Sequence, residues 1–311
     1  MHSSLNIAIT GGTPEKRAIA AHSFGKKGSA DDMAFYHTVF SGKIVSVVDP
    51  AGYPDKLPPL LNSLALADWN LVLADEMSPA LGECIVAADL LGARCVFLTQ
   101  SDLAPLLANT SLAGSQSFDT IDGAKEFLLS QESPAVAGPV RVAIDHFFEV
   151  KGVGSVALGL VKSGELHVHD KLTAFPAGSQ VEVKSIQMND ENAEASASGG
   201  RVGLALKNVT AGDVDRGTVL AKEGVAVAKE LSCTLSASKF LREPIKAGVF
   251  HLAAGLQFEP CRVEVEGELK AGASAKAKIF LDKPVAHWPE QKMLLCNLNA
   301  KGLRVVGSVL A

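Results

Sequence analysis

The chain of 311 residues is 47% hydrophobic and 20% charged, with a formal net charge of -5. That is enough apolar material for a large core divided over two or three domains. The acidic balance excludes a protein whose whole surface binds nucleic acid, though not a local basic patch. No apolar run approaches the roughly 18 residues of a membrane span, and Met1-His2-Ser3-Ser4 leads into an apolar strand with no basic region or cleavage pattern. A cytoplasmic protein with neither membrane nor DNA as partner is expected. Five isolated cysteines, Cys84, Cys95, Cys233, Cys261 and Cys296, read as reduced core thiols rather than disulfides or a metal site.

The first expected element is the strand Leu5 to Thr10, followed by Gly11-Gly12-Thr13-Pro14-Glu15-Lys16-Arg17-Ala18. A phosphate-binding loop needs G-x-x-x-x-G-K-[ST], with glycines so that backbone N–H groups can wrap the phosphates, a lysine for their charge and a hydroxyl for magnesium. Counted from Gly11, the second glycine is Lys16, the lysine is Arg17 and the hydroxyl is Ala18. Taken alone, the segment is an ordinary strand-to-helix turn with Glu15 near the helix N-terminus. Near-continuous apolar strands then follow at Lys43 to Asp49, Trp69 to Asp75 and Ala93 to Thr99. They alternate with helical patterns at Arg17 to Lys26, Asp55 to Ala67 and Leu81 to Leu91. This is the pattern of an α/β domain with buried parallel strands, whose ligands bind at the strands' carboxyl ends.

Two of those ends carry candidate chemistry. Asp49-Pro50-Ala51-Gly52-Tyr53 fits D-x-x-G, in which the aspartate holds magnesium through water and the glycine N–H meets a γ-phosphate. Thr99-Gln100-Ser101-Asp102 stands where N-K-x-D would read guanine, with Asp102 still able to accept from the base.

Ser133-Pro134-Ala135-Val136-Ala137-Gly138-Pro139 reads as a linker, because two prolines and a glycine break regular structure. Beyond it, short alternating strands with frequent turn signals and almost no helix predict β-barrels. The expected division is residues 1–132, 139–225 and 226–311. Gly152, Gly154, Gly159 and Gly164 fall where tight turns or close backbone approach are needed, with Val156, Leu158, Leu160 and Val161 between them.

The run Ile144-Asp145-His146-Phe147-Phe148-Glu149-Val150-Lys151-Gly152-Val153-Gly154-Ser155-Val156-Ala157-Leu158-Gly159 resembles the opening of the translation-factor barrel. The likeness continues through Gly164, Asp170, Leu172, Val183 to Gln187, Gly200-Arg201-Val202-Gly203, Val209 and Asp215-Arg216-Gly217. With these residues the whole chain resembles the translational GTPases of the elongation factor Tu and SelB group. Gly82-Glu83-Cys84-Ile85 and His251 to Pro260 are similar in approximate form to small archaeal SelB-like factors of the EF-Pyl type. The resemblance implies a P-loop-type G domain, here degenerate, followed by two β-barrels. It also implies GTP or GDP with magnesium as the group's cofactor, and aminoacyl-tRNA or the ribosome as partner.

Departures from that pattern bear on mechanism. In the switch segment Asp31 to Tyr36, Ala34 stands where a threonine would ligand magnesium, and Tyr53 stands for the histidine that positions the attacking water. With metal ligands, lysine and water-orienting group all lost, phosphoryl transfer loses most of its electrostatic support, so no useful GTPase is expected and no catalytic residue is assigned. A residual nucleotide site would draw on Gly11, Lys16, Arg17, Asp49, Gly52, Thr99, Gln100 and Asp102. In that site Arg17 could meet a phosphate, while Lys16 would crowd the backbone's approach.

By motif position the resemblance implies an aminoacyl-tRNA pocket of Asp145, His146, Arg201 and Arg216, able to hold a polar or anionic group. The two arginines could instead pair with nearby Asp213 or Asp215. His167 and His169 would lie on one face of a strand but lack a third metal ligand. Lys239, Arg242, Lys246 and Arg262 are dispersed basic residues open to tRNA phosphates or to solvent. Neither a dinucleotide fingerprint nor a serine nucleophile elbow occurs. Three functions stay open: a non-catalytic tRNA- or ribosome-binding relative of SelB, a slow GTPase using Arg17, Asp49 and Asp102, and a scaffold that binds another translation component.

Overall fold

The computed structural model describes residues 3–209 and 212–311; Met1 and His2, at the start read above for a leader, lie outside them. The first module contains β1 (Ser4–Gly11), α1 (Pro14–Phe24), β2 (Lys26–Ala30), β3 (Ala34–Phe40), β4 (Lys43–Asp49), α2 (Pro58–Leu66), β5 (Trp69–Leu73) and α3 (Pro79–Leu91). It ends with β6 (Cys95–Leu98), α4 (Ala104–Leu107), β7 (Ser117–Phe118) and α5 (Ile121–Leu129). Its sheet has the order β2-β3-β4-β1-β5-β6-β7. Strands β1, β4, β5, β6 and β7 run parallel, whereas β2 and β3 form an antiparallel hairpin on one edge. Every residue of β1 and β4 is buried, as a strand covered on both faces requires.

Helix starts explain most of the differences from the sequence expectation. Thr13 accepts a hydrogen bond from the Lys16 N–H and Pro14 takes the first helical position, so α1 begins three residues before Arg17. Ser78 and Pro79 do the same for α3, and Gly92, with φ +68°, ends it. Pro58 delays α2 relative to the expected Asp55. The hairpin β2–β3 was not foreseen: β2 is Lys-Lys-Gly-Ser-Ala, wholly exposed, and an edge strand of that polarity has no apolar alternation to reveal it.

The second module holds β8 (Arg141–Val150), β9 (Gly154–Ser163), β10 (Glu165–His167), β11 (Lys171–Phe175) and β12 (Ser179–Met188). It continues through β13 (Glu191–Ala193), β14 (Ala195–Ala197), β15 (Arg201–Lys207) and β16 (Val219–Ala221). The order β11-β16-β8-β9-β15-β12 closes on itself through β11–β12 pairing. Gly159 is required by closeness, because a Cβ there would sit 2.5 Å from the Ala143 carbonyl oxygen. His169 departs from expectation: it follows β10 in the left-handed region, φ +70°, so the two imidazoles share no strand face. Each instead approaches its own glutamate, Glu165 or Glu182.

The third module is a closed barrel of β17 (Ala226–Ala237), β18 (Gly248–Ala254), β19 (Gln257–Val265), β20 (Ser274–His287), β21 (Met293–Cys296) and β22 (Val305–Leu310), in the order β17-β20-β19-β18-β21-β22.

The modules share cores. Leu57, Leu60 and Leu64 of the first pack with Ala253, Leu294 and Val305 of the third. Phe35 and Val48, Ala143 and Leu160, and Leu256 bring all three into one cluster. Ile44 of β4 inserts into the second module's core. The Asn6 amide donates to the Gly199 carbonyl and to Asp68. All five cysteines are buried free thiols, as expected. Among the described residues no helix is long and apolar enough to cross a membrane, and no group of three potential ligands could hold a metal ion.

Candidate functional site

The turn from β1 into α1 comes first. Gly11 ends the strand and Pro14 opens the helix, leaving only Gly12 and Thr13 between them. Gly12 donates its N–H to the Leu73 carbonyl, Thr13 accepts from Lys16, and Pro14 has no N–H to offer. The turn is pressed onto β5: a Cβ on Gly11 would lie 2.4 Å from the Leu73 carbonyl oxygen. Lys16 swings outward to Glu76 and Asp75 at 3.0 and 3.6 Å.

Arg17 is the largest fully buried side chain, with 0% exposure. Its Nε donates to Asp49 Oδ1 at 2.8 Å. Nη1 donates to the carbonyls of Gly11 and Gly12 at 3.2 and 3.3 Å, and Nη2 to those of Pro50 and Tyr53 at 3.2 and 2.6 Å. A guanidinium has five N–H donors, and five acceptors surround it. Asp49 is buried with it; burial pushes the carboxyl's pKa up, against the pull of Arg17.

The Gly52 N–H, expected to meet a γ-phosphate, donates to the Asp32 carbonyl at 2.8 Å. Tyr53, expected near the attacking water, is buried beneath the Arg17 guanidinium and donates its hydroxyl to the Ala80 carbonyl. At the base-reading end, Thr99 donates its hydroxyl to the Ala74 carbonyl, Gln100 faces solvent, and Asp102 accepts from the Ala104 N–H at the start of α4.

Arg17, expected to meet a phosphate, here meets Asp49 and four backbone carbonyls. Its charge is turned inward, because Thr13 and Pro14 begin the helix early enough to aim position 17 at the sheet. The turn between β1 and α1 is thus two residues long with its Gly12 N–H bonded to Leu73, Arg17 points inward, and Asp49 is paired with it.

The structure brings Asp145, His146, Arg201 and Arg216 together in a second, closed constellation. In β8 the register shifts between Ile144 and His146, and this bulge turns Asp145 inward to 0% exposure. Arg201 of β15 grips it with two bonds, Nη1 to Oδ2 at 2.6 Å and Nη2 to Oδ1 at 2.9 Å, while His146 Nδ1 lies 2.5 Å from Oδ1. The Arg201 guanidinium sits 4.0 Å from the Phe35 ring centre, and His146 meets that ring edge-on. Burial alone would raise the Asp145 pKa; the charge and hydrogen bonds of Arg201, with those of His146, outweigh it and hold the carboxyl below its usual range.

Arg216 pairs across the module boundary, with Asp32 at 2.7 Å and Asp31 at 2.6 Å, and its Nε donates to the Asp145 carbonyl. His146 Nε2 lies 3.3 Å from Asp31. The side-chain partners suggested for the arginines, Asp213 and Asp215, are thus replaced by Asp145, Asp31 and Asp32. Sequence reasoning missed the role of Asp31 and Asp32, whose one signal was two adjacent carboxylates in a turn. His37, stacked on Phe35, is pushed down to about 4 by burial and the nearby Arg201, so it is neutral at pH 7.

A further link was missed altogether. Glu83 of α3, almost fully buried, receives the Arg304 guanidinium at 2.6 Å and the Arg304 N–H at 2.7 Å. Arg304 also lies over the Tyr53 ring, the face of the first module that Arg17 organises. The third-barrel basic residues are spread out, Lys239 donating to the Asn109 carbonyl, Lys246 pairing with Glu268 and Arg262 with Glu264, with Arg242 exposed.

An α/β module followed by two closed barrels is the frame of a translation factor, and residues 154–221 match the family Elongation factor Tu domain 2. The chain belongs to the SelB and elongation factor Tu-like family of translation factors. It is 33% identical to an uncharacterised protein of Methanocaldococcus jannaschii over 91% of this chain and 92% of that one. It is 38% identical to the selenocysteine-specific elongation factor of the same organism over 27% of this chain and 18% of that one. The crystal structure of elongation factor SelB from Methanococcus maripaludis in its apo form superposes with a TM-score of 0.84 at 18% identity, over 99% of this chain and 79% of that one.

Proposed function

We propose that this translation factor binds aminoacyl-tRNA or the ribosome without binding or hydrolysing GTP. The observation that carries the reading is Arg17, whose five donors are spent on Asp49 and four backbone carbonyls where phosphates would otherwise be held. Nucleotide binding would require that network to be dismantled. Titration of nucleotide-free protein with fluorescent GDP and GTP analogues, with and without magnesium, is expected to give no saturable signal up to millimolar nucleotide. Micromolar binding would overturn the reading. Turnover that vanishes in Asp49→Ala protein would establish the slow-GTPase alternative.

In this reading Arg216 and His146 are the groups offered to the aminoacyl end, and Asp31 and Asp32 hold them in the free protein. A ligand with an acceptor or anionic group displaces those carboxylates. The Asp31→Asn, Asp32→Asn double variant should bind aminoacyl-tRNA about tenfold tighter, and Arg216→Ala about tenfold weaker. Filter binding that gives the same affinity for all three proteins would sink the pocket and favour a scaffold that binds another translation component.

A further inference from the structure

The edge of the parallel sheet away from Gly11, Asp49 and Thr99 opens on a cleft of about 490 Å³ that all three modules line. The first contributes the ends of α2 and α3 and the start of β5, the second β9, and the third the turn that follows β20. Clefts of this size at module junctions, apolar with a few placed polar groups, are the usual form of a small-molecule site.

Leu64, Leu160, Leu256 and Leu294 make its floor apolar. Its charged groups are three cations, Arg94, Lys162 and Lys292, against the two carboxylates of Asp68 and Glu290. Lys162 spends one N–H on the Ala65 carbonyl at 2.8 Å and makes no ion pair among the described residues; burial pulls its pKa down, against the nearby charge of Asp68. Asp68 is engaged instead through Oδ2 by Asn6 and Ser133. Arg94 is exposed at the rim and stacks over the Trp69 ring, 5.8 Å from its centre, and among the described residues neither Arg94 nor Lys292 has an ion-pair partner. The Trp69 indole N–H is buried with no acceptor, a costly state for a donor. The second tryptophan wall is Trp288.

We propose that this junction cleft binds a small amphiphilic anion, with a flat apolar body against the leucine floor and tryptophan walls and a carboxylate, phosphate or sulfonate among Lys162, Arg94 and Lys292. The site is distinct from both constellations described above. Because its walls come from three modules, the occupant also bridges them.

The chain's two tryptophans, Trp69 and Trp288, both line this cleft, so intrinsic fluorescence reports on it selectively. The probe is 8-anilinonaphthalene-1-sulfonate, titrated into the full-length protein, with the uncharged N-phenyl-1-naphthylamine as its neutral counterpart. Saturable quenching of tryptophan emission by the sulfonate is expected, with the neutral dye at least about tenfold weaker. The charge-reversed rim variant Arg94→Glu, Lys292→Glu should also lose about tenfold in affinity for the sulfonate. Both substitutions lie at the rim rather than in a core, so the folded protein remains available for the comparison. No saturable quenching, equal binding of the neutral dye, or unchanged affinity in the rim variant would each overturn the proposal.

Discussion

Replacing Arg17 by methionine is expected to cost about 3–5 kcal/mol of folding free energy, the scale for removing one partner of a buried ion pair. Methionine fills part of the volume but leaves Asp49 as an uncompensated buried charge and four carbonyls short of a donor. Adding Asp49→Asn removes the stranded charge and should return about 1–2 kcal/mol, but not the rest, because the carbonyls stay unpaired. Urea unfolding of the three proteins measures both numbers. A loss below about 1 kcal/mol for Arg17→Met would mean that the guanidinium is not the organising group described here.

The next largest effect is expected at Arg201. In Arg201→Ala the fully buried Asp145 carboxylate keeps His146 but loses both guanidinium bonds, and Phe35 loses its cation contact. A loss of about 3–4 kcal/mol at pH 7 follows. Its pH dependence has a defined sign. The folded-state pKa of Asp145 lies below the ordinary 3.8. The stability its ionised form contributes is therefore fully present above about pH 4, the unfolded-state value, and is lost as pH falls further through the folded pKa. In the variant the downward pull of Arg201 is gone and burial works the other way, so protonation on acidification relieves the stranded charge. The stability gap between wild type and variant should narrow between pH 5 and pH 3, as urea midpoints would reveal. A constant gap would rule out Asp145 as the titrating partner.

Some of this was legible from residue order alone. Unbroken apolar runs identified buried parallel strands, Pro134 and Pro139 fall in a stretch with neither strand nor helix, and the glycines in and beside β9 outlined the first barrel. Thr13-Pro14 held a signal whose consequence is large: a capping hydroxyl followed by proline fixes where α1 begins, and so which way Arg17 points. Pairing across modules was illegible. Arg216 and Asp31 are 185 residues apart, and Glu83 and Arg304 are 221 apart; no local period links such positions. The polar strand β2 hid for the opposite reason, since a solvent-facing edge needs no pattern. The junction cleft could not be foreseen because each module supplies only part of its wall.

The shared cores bear on how this chain comes apart. Phe35, Ala143 and Leu256 belong to three different modules yet bury one another, and Ile44 of the α/β sheet completes the interior of a barrel. A fragment cut at the linker would carry a bare apolar face, and the barrel left behind would carry a hole. Unfolding one module therefore exposes apolar surface on its neighbours, and amides in the shared clusters are expected to be among the slowest to exchange with solvent.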